Sequence, residues 1–405
     1  MIFALTFGLA LLLAVLLSAL SERSPLSTSL IFLVAGLVAG PLALDAEHLS
    51  APVIREVASI ALFAVLFADG QQAPIHVLRR RWVGPTRALA IGMPLTFALV
   101  AVLAHLLLGL DWVTSMLLGA ILAPTDPVFA AALVGRDDVT PRLRSLLNIE
   151  SGLNDGLALP VVVLLIVALG GIAPGESTEV GPLLLEVGLG VVLGVVLPLV
   201  AAALVRLPCF GVEPRVQPLG PLAVAVLLFV ACETAGANLY LAAFTAGITF
   251  ASVSPTASAA FAPVGEFVGE LSKNGALLAF GALVSPVLLA EVGIAGWIFA
   301  VLVLVVGRPV PVMISLLGTR TLNFRERLAA AWFGPKGFAS VVYGLLVLES
   351  GVPEETHVLA LVVATVIVSI TLHSTTDVPV AAALRQHAGD ASAAAGCGST
   401  VTAEP

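Results

Sequence analysis

The amino-acid sequence predicts an all-α membrane protein, with about thirteen transmembrane helices in two inverted six-helix repeats and crossed broken helices at segments 5 and 12. Three observations lead there. Of the 405 residues, 59% are hydrophobic and only 11% charged, with a mean hydropathy of +1.10, far beyond what a soluble domain carries. The apolar residues come in runs close to the roughly 20 that a helix needs to span hydrocarbon, and the strict alternation of barrel strands is missing. Two of the runs are interrupted by proline or glycine beside a charged residue.

In order, the apolar runs are 2–20, 26–44, 52–69, 86–109, 112–135, 144–170, 180–205, 217–233, 237–253, 262–290, 293–318, 327–348 and 356–373. The first has the small residues Ser18 and Ala19 near a possible cleavage point but lacks the basic leader of a signal peptide, and is read as a helix. The fifth contains LAPTDPVF, in which Pro124 and Pro127 flank Thr125 and Asp126, so a regular helix cannot pass. A packing kink is the plain alternative there. The twelfth contains WFGPKGF, where Gly334, Pro335 and Gly337 break the helix around Lys336. These two segments are seven apart, and an odd offset inverts orientation. Segments 1–6 and 8–13 therefore read as inverted repeats whose unwound stretches meet at mid-membrane. From residue 386 the tail is small and polar, cannot bury a core, and is expected to be disordered.

Positive charge tests the count, because Lys and Arg near membrane ends collect on the cytoplasmic side. With the N-terminus outside, the inward loops and tail hold Arg23, Arg79, Arg80, Arg81, Arg87, Arg136, Arg142, Arg144, Arg206, Arg215, Arg320, Arg325, Arg327 and Arg385, fourteen of the 18 basic residues. The outward loops carry acids instead: Asp45, Glu47, Asp111, Glu176, Glu179, Glu291, Glu354 and Glu355. An odd number of crossings then puts the C-terminus in the cytoplasm. The net charge of −8 gives no sign of a nucleic-acid partner, and none is expected. Cys209, Cys232 and Cys397 have neither metal nor redox spacing.

The remaining charges lie inside segments, where each costs about 2.5 to 3.5 kcal/mol on insertion scales and so calls for a partner or a wet path. NIESGLNDG, residues 148–156, opens the sixth segment. On a helical wheel Ser151 shares a face with Asp155 and Glu150 with Asn154, and the two carboxylates point about 140° apart, free to do different work. A cytoplasmic loop with a capped helix start is the alternative. Arg308, deep in segment 11, needs a carboxylate, and Glu150 is the candidate. Asp69 ends segment 3 and either contacts an ion or caps the helix. Glu266, Glu270 and Lys273 form one stripe on segment 10, open to a gating or pH-sensing role or to simple solvation.

Taken together, APTDPV, then ESGLNDG, then a lone arginine ahead of a Gly-Pro-Lys-Gly break resemble the sodium/proton exchangers of the monovalent cation:proton antiporter-1 family. The likeness spans the whole membrane region. It implies that residues 1–385 are one transmembrane antiporter domain, with core and dimerisation parts interleaved, followed by the cytoplasmic tail 386–405. It implies that Asp155 is the carboxylate shared by cation and proton, and that Asn154 in place of a second Asp goes with electroneutral exchange of one cation for one proton. Thr125, Asp126 and Ser151 would complete a Na+ site with Asp155. Glu150 and Arg308 would be a structural ion pair. Asp69 stands where relatives often have Glu, and Lys336 replaces a common Arg that serves the broken-helix dipoles. No cofactor is implied beyond the transported Na+, Li+ or K+ and H+, and a homodimer in the plasma membrane is. A desolvated Asp holds its proton more tightly and a bound cation displaces it, so the two compete and alternating access carries either. An intramembrane aspartyl protease using Asp126 and Asp155 would also bury two carboxylates, but its Gly-x-Gly-Asp pattern is missing. A cation channel would use the same polar residues, although paired broken helices suit alternating access better than a symmetric filter.

Overall fold

The computed structural model describes residues 2–21, 28–43, 51–72, 74–76, 83–125, 140–171, 180–207, 209, 211–319, 322–348, 350–373 and 375–376. Among them there is no strand, and the apolar runs become helices. These are α1 (Ile2–Ser21), α2 (Thr28–Ala43), α3 (Ala51–Gln72), α4 (Gly84–Leu108), α5 (Trp112–Leu122), α6 (Pro141–Ala168) and α7 (Val180–Val205). The second half of the chain supplies α8 (Leu219–Ala235), α9 (Leu239–Val253), α10 (Pro255–Leu283), α11 (Gly293–Ser315), α12 (Phe324–Trp332), α13 (Phe338–Leu348) and α14 (Glu355–His373). Four helices, α4, α11, α14 and the Leu185–Val205 part of α7, are long and apolar enough to cross a membrane, and eight shorter apolar helices accompany them among the described residues. Asp126, the expected inward residues Arg23, Arg79, Arg80, Arg81, Arg136, Arg320 and Arg385, the acids Asp45, Glu47, Glu176 and Glu179, and the tail from 386 lie outside the described residues.

The boundaries of α6 and α10 differ from the sequence reading for local reasons. Helix α6 starts at Pro141 because Thr140 caps it, accepting from the Leu143 N–H at 3.4 Å, with proline in the first turn where its missing N–H costs nothing. Helix α10 starts at Pro255, seven residues ahead of the expected 262, since the small residues between Thr256 and Ala260 form helix without an apolar signal. It ends at Leu283 because Pro286 pushes the chain before it out of helical geometry; Val284 and Ser285 are extended.

Helix α2 packs along α10, and α3 along α9. Both contacts are made backbone to backbone. A Cβ on Gly70 would stand 3.1 Å from the Cα of Gly247, and one on Gly247 would stand 2.9 Å from the Cα of Gly70. Gly36 and Gly281 face one another in the same way between α2 and α10. Small residues allow this close approach, which gains dispersion contacts where lipid offers no hydrophobic drive. Gly247 follows Gly36 by 211 residues and Gly281 follows Gly70 by the same 211. One offset therefore exchanges the two glycine contacts, the exchange of partners that an inverted repeat produces.

The helix ends sort into two groups. Arg87 donates to the Leu317 carbonyl at 2.8 Å, Arg206 to that of Val253 at 3.4 Å, and Arg327 to those of Leu322 and Thr319. Arg87 and Arg206 thus sit on carbonyls at or just beyond a helix C-terminus, worth about 0.3–1 kcal/mol each through the helix dipole, and Arg327 ties down the connection between α11 and α12. At this same end Leu143, Leu146 and Leu147 of α6 pack with Val312, Leu316 and Phe333 in a core of their own. The start of α9 lies at the opposite end, where the Asn238 N–H donates to the Glu186 carbonyl of α7 at 2.9 Å.

Candidate ion-binding site

Proline and glycine make two helix breaks, and the structure brings them together. Helix α5 stops at Leu122, leaving carbonyls that have no N–H one turn ahead. The second break supplies their donors. Lys336 Nζ donates to the Ala123 and Pro124 carbonyls, both at 3.0 Å, and Ser340 Oγ donates to that of Ile121 at 2.9 Å. Lys336 is completely buried, and its own N–H donates to Ser369 Oγ of α14 at 2.7 Å. A cation at a helix C-terminus meets the negative end of the dipole, and in the absence of water the interaction strengthens.

Past Pro124, Thr125 turns inward onto α6. Its Oγ1 lies 3.1 Å from Ser151 Oγ and accepts from Asn154 Nδ2 at 2.7 Å, and all three side chains are buried. Ser151 and Asn154 thus converge on one partner. The wheel reading grouped Asn154 with Glu150 one turn away, whereas residues three apart also adjoin on a helix, and that neighbour relation is the one used. Asn154 Oδ1 is buried and has no protein partner among the described residues. Two hydroxyls and an amide oxygen form a neutral oxygen set of the hard kind that alkali cations prefer. Asp155 continues α6 directly after Asn154, and its side chain, like the whole of Asp126, lies outside the described residues.

Glu150, one turn before Asn154 on α6, reaches a different partner. Arg308 Nη1 donates to its Oε1 at 2.7 Å, the two side chains being 5% and 4% exposed. The same guanidinium reaches the end of α12, with Nη2 3.3 Å from the Phe333 carbonyl and 3.4 Å from that of Ala330. A π-helical turn, Val303–Gly307, delivers Arg308, and Pro309 restarts the helix after it. Gly334 is required here because a Cβ at that position would overlap the guanidinium. Each interrupted helix therefore ends on a buried cation: α5 on Lys336 and α12 on Arg308. Sequence reasoning found Lys336 and Arg308 but missed Ser340 and Ser369. Ser340 lies in the first turn of α13, just past the break that holds Lys336, and nothing local distinguishes Ser369.

Asp69 is half-buried near the end of α3, which packs on α6. At the same end of α3, a cavity of about 400 Å³ is bounded by Ala68, Gln71, His76, Ser258 and Glu266, and Ser258 donates to Gln71 at 3.0 Å. Glu266 and Glu270 are exposed and Lys273 is buried on α10. A second cavity of about 290 Å³ lies at the opposite helix ends, among Glu56, Glu186, Glu233 and Tyr240, and reaches Leu159, one turn beyond Asp155 on α6.

Residues 9–383 match the family model of the transmembrane sodium/hydrogen exchangers. The chain belongs to that family. Among sodium/hydrogen exchanger relatives it is 27% identical over 351 residues to the K(+)/H(+) antiporter NhaP2 of Shewanella baltica, a match covering 84% of this chain and 59% of that protein. It is 25% identical over 382 residues to the K(+)/H(+) antiporter NhaP of Alkalimonas amylolytica, covering 93% and 66%. The chain thus spans about three-fifths of the length of the relatives it matches. The solved structure of the sodium proton antiporter MjNhaP1 from Methanocaldococcus jannaschii superposes with a TM-score of 0.76 at 20% identity, over 95% of this chain and 100% of that one, which establishes a shared exchanger fold.

Proposed function

We propose that the chain is a secondary antiporter that exchanges a monovalent cation for a proton by alternating access, one for one and without net charge transfer. Asp155 is the carboxylate the two ions share. The observation that carries this reading is the buried Thr125, Ser151 and Asn154 set, in which Thr125 directly precedes Asp126, Asn154 directly precedes Asp155 and Ser151 lies one turn before Asp155. A cation seated there takes oxygens from Asp155, Asp126, Thr125 and Ser151, and its charge replaces the proton on Asp155. Lys336 and Arg308 hold the two interrupted helices in place around the site, and Glu150 balances Arg308. Asp69 borders the route from the cavity at its end of α3. Cavities at both helix ends suit a site reached alternately from either side, and they favour a transporter over a peptide-cleaving enzyme.

Sodium or lithium fits the oxygen set. Potassium is the second reading, supported by the names of the NhaP2 and NhaP relatives. The arginines on one group of helix ends support an N-terminus outside and a C-terminus in the cytoplasm of a plasma membrane. A homodimer, and a gating or pH-sensing role for the stripe Glu266, Glu270 and Lys273, complete the proposal. The test is dye-monitored proton movement in proteoliposomes given Na+, Li+ or K+ in turn, with and without valinomycin. Cation-driven proton movement that an imposed potential leaves unchanged is expected. Proton movement indifferent to every alkali cation would refute antiport, and movement driven by the potential would refute the stoichiometry.

A further inference from the structure

Helix α14 ends in a histidine for which the exchange reaction has no use. His373 is 2% exposed. Its Nδ1 lies 2.8 Å from the Ser369 carbonyl of its own helix and its Nε2 lies 3.1 Å from the Trp332 carbonyl, the last residue of α12. Arg308 holds the carbonyls on either side, those of Ala330 and Phe333. The exit of α12 into the break is therefore held by two side chains, and only His373 can change its charge near neutral pH.

Both ring nitrogens face carbonyl acceptors, and the Ser369 hydroxyl also lies 3.5 Å from Nδ1. A neutral imidazole has one N–H, so one nitrogen must then set its lone pair against a carbonyl oxygen; the imidazolium donates to both. The charged groups facing the ring are Arg308 from α11 and Lys336 from the break, with Glu150 of α6 behind Arg308. Two carbonyl oxygens from different helices line the ring, so only the doubly protonated form donates to both helices at once.

We propose that His373 is a positioning residue whose protonation clamps the exit of α12 to α14, making the junction that carries Arg308 and Lys336 responsive to pH. Its consequence for transport rests on the antiport reading; the clamp itself does not. Ser369 ties the two together, because its hydroxyl takes the Lys336 N–H while its carbonyl faces the ring. Trp332 offers a reporter: its indole lies 5.6 Å from the imidazole, and its Nε1 donates to Thr376 Oγ1 at 3.1 Å.

The experiment uses full-length protein in which Trp82→Phe, Trp112→Phe and Trp297→Phe leave Trp332 as the sole tryptophan, with and without His373→Gln. Glutamine keeps one donor and does not titrate; His373→Asn stands in should the Gln variant misfold. Indole fluorescence in detergent is followed over roughly pH 5 to 8, and exchange over the same interval in proteoliposomes. A one-proton fluorescence step that His373→Gln abolishes, together with a flattened pH profile of exchange, is the expected result. A step that survives in His373→Gln, or no step in the parent, overturns the clamp. Loss of the step with an unaltered exchange profile overturns its link to transport. A step lost on substitution while neither protein exchanges ions supports the clamp and counts against antiport.

Discussion

Removing either member of the Glu150–Arg308 pair leaves the other charged and buried. The pair is almost fully dehydrated and linked at 2.7 Å, and stripping one partner from such a pair costs about 3–5 kcal/mol. The two single variants are not equal. In Glu150→Ala, Arg308 keeps its contacts to Ala330 and Phe333, whereas Arg308→Ala also releases both carbonyls at the end of α12. Those contacts are long, and a hydrogen bond from a charged donor contributes about 1.5–3 kcal/mol at good geometry, so the extra loss is about 1–2 kcal/mol in total. Glu150→Ala should therefore destabilise by about 3–4 kcal/mol and Arg308→Ala by about 4–6 kcal/mol. The double variant, which strands no charge, should be less destabilised than the sum of the singles by about 2 kcal/mol or more. SDS-titrated unfolding in mixed micelles of the four proteins measures the cycle. Additive losses would refute the coupling, and a milder Arg308→Ala than Glu150→Ala would refute its hold on α12.

Gly334→Ala places a methyl group on the Arg308 guanidinium; overpacking of this kind costs about 1–3 kcal/mol and should lower melting temperature and exchange together, whereas Gly318→Ala, at a left-handed turn outside the site, should spare exchange. Lys336→Met removes the donor of two α5 carbonyls and should destabilise by about 2–4 kcal/mol, with Lys336→Arg partly restoring exchange; a Met variant of full activity would contradict the capping role. Asp111, outside the membrane segments, caps α5, and the Thr114 hydroxyl followed by the Thr114 and Val113 N–H groups hold its carboxyl below the ordinary 3.8. A lowered folded pKa means that the cap's contribution is present above the unfolded value and is lost as pH falls through the folded one. Asp111→Ala should cost about 1 kcal/mol near neutral pH, and the gap in melting temperature between variant and parent should close in acid; a gap constant with pH would refute the assignment.

The sequence made the helices legible because lipid demands long apolar runs, and it made the breaks legible because proline and glycine cannot hide in them. Arg308 and Glu150 were paired on the same ground: an isolated buried charge is too costly to stand alone. Less could be read where the signal was not hydrophobic. The start of α10 is built of small residues, and only Pro255 marks it. Ser340 and Ser369 were missed because a helical serine usually bonds its own preceding turn, and only the packed fold shows that these reach Ile121 and Lys336 instead. The division of labour on α6 depended on which neighbours face Thr125, and a helical wheel of one helix has no information about the next.

Central to the account is that one carboxylate on α6 holds a cation or a proton and never both. Cation addition to purified protein in weakly buffered detergent, with released protons read by an indicator dye, tests this without a membrane or a gradient. The wild-type protein should release close to one proton per cation bound at a pH below the midpoint of its titration, falling to about half a proton at the midpoint, and Asp155→Asn none. Equal release from both proteins, or none from the wild type while it binds the cation, would contradict it.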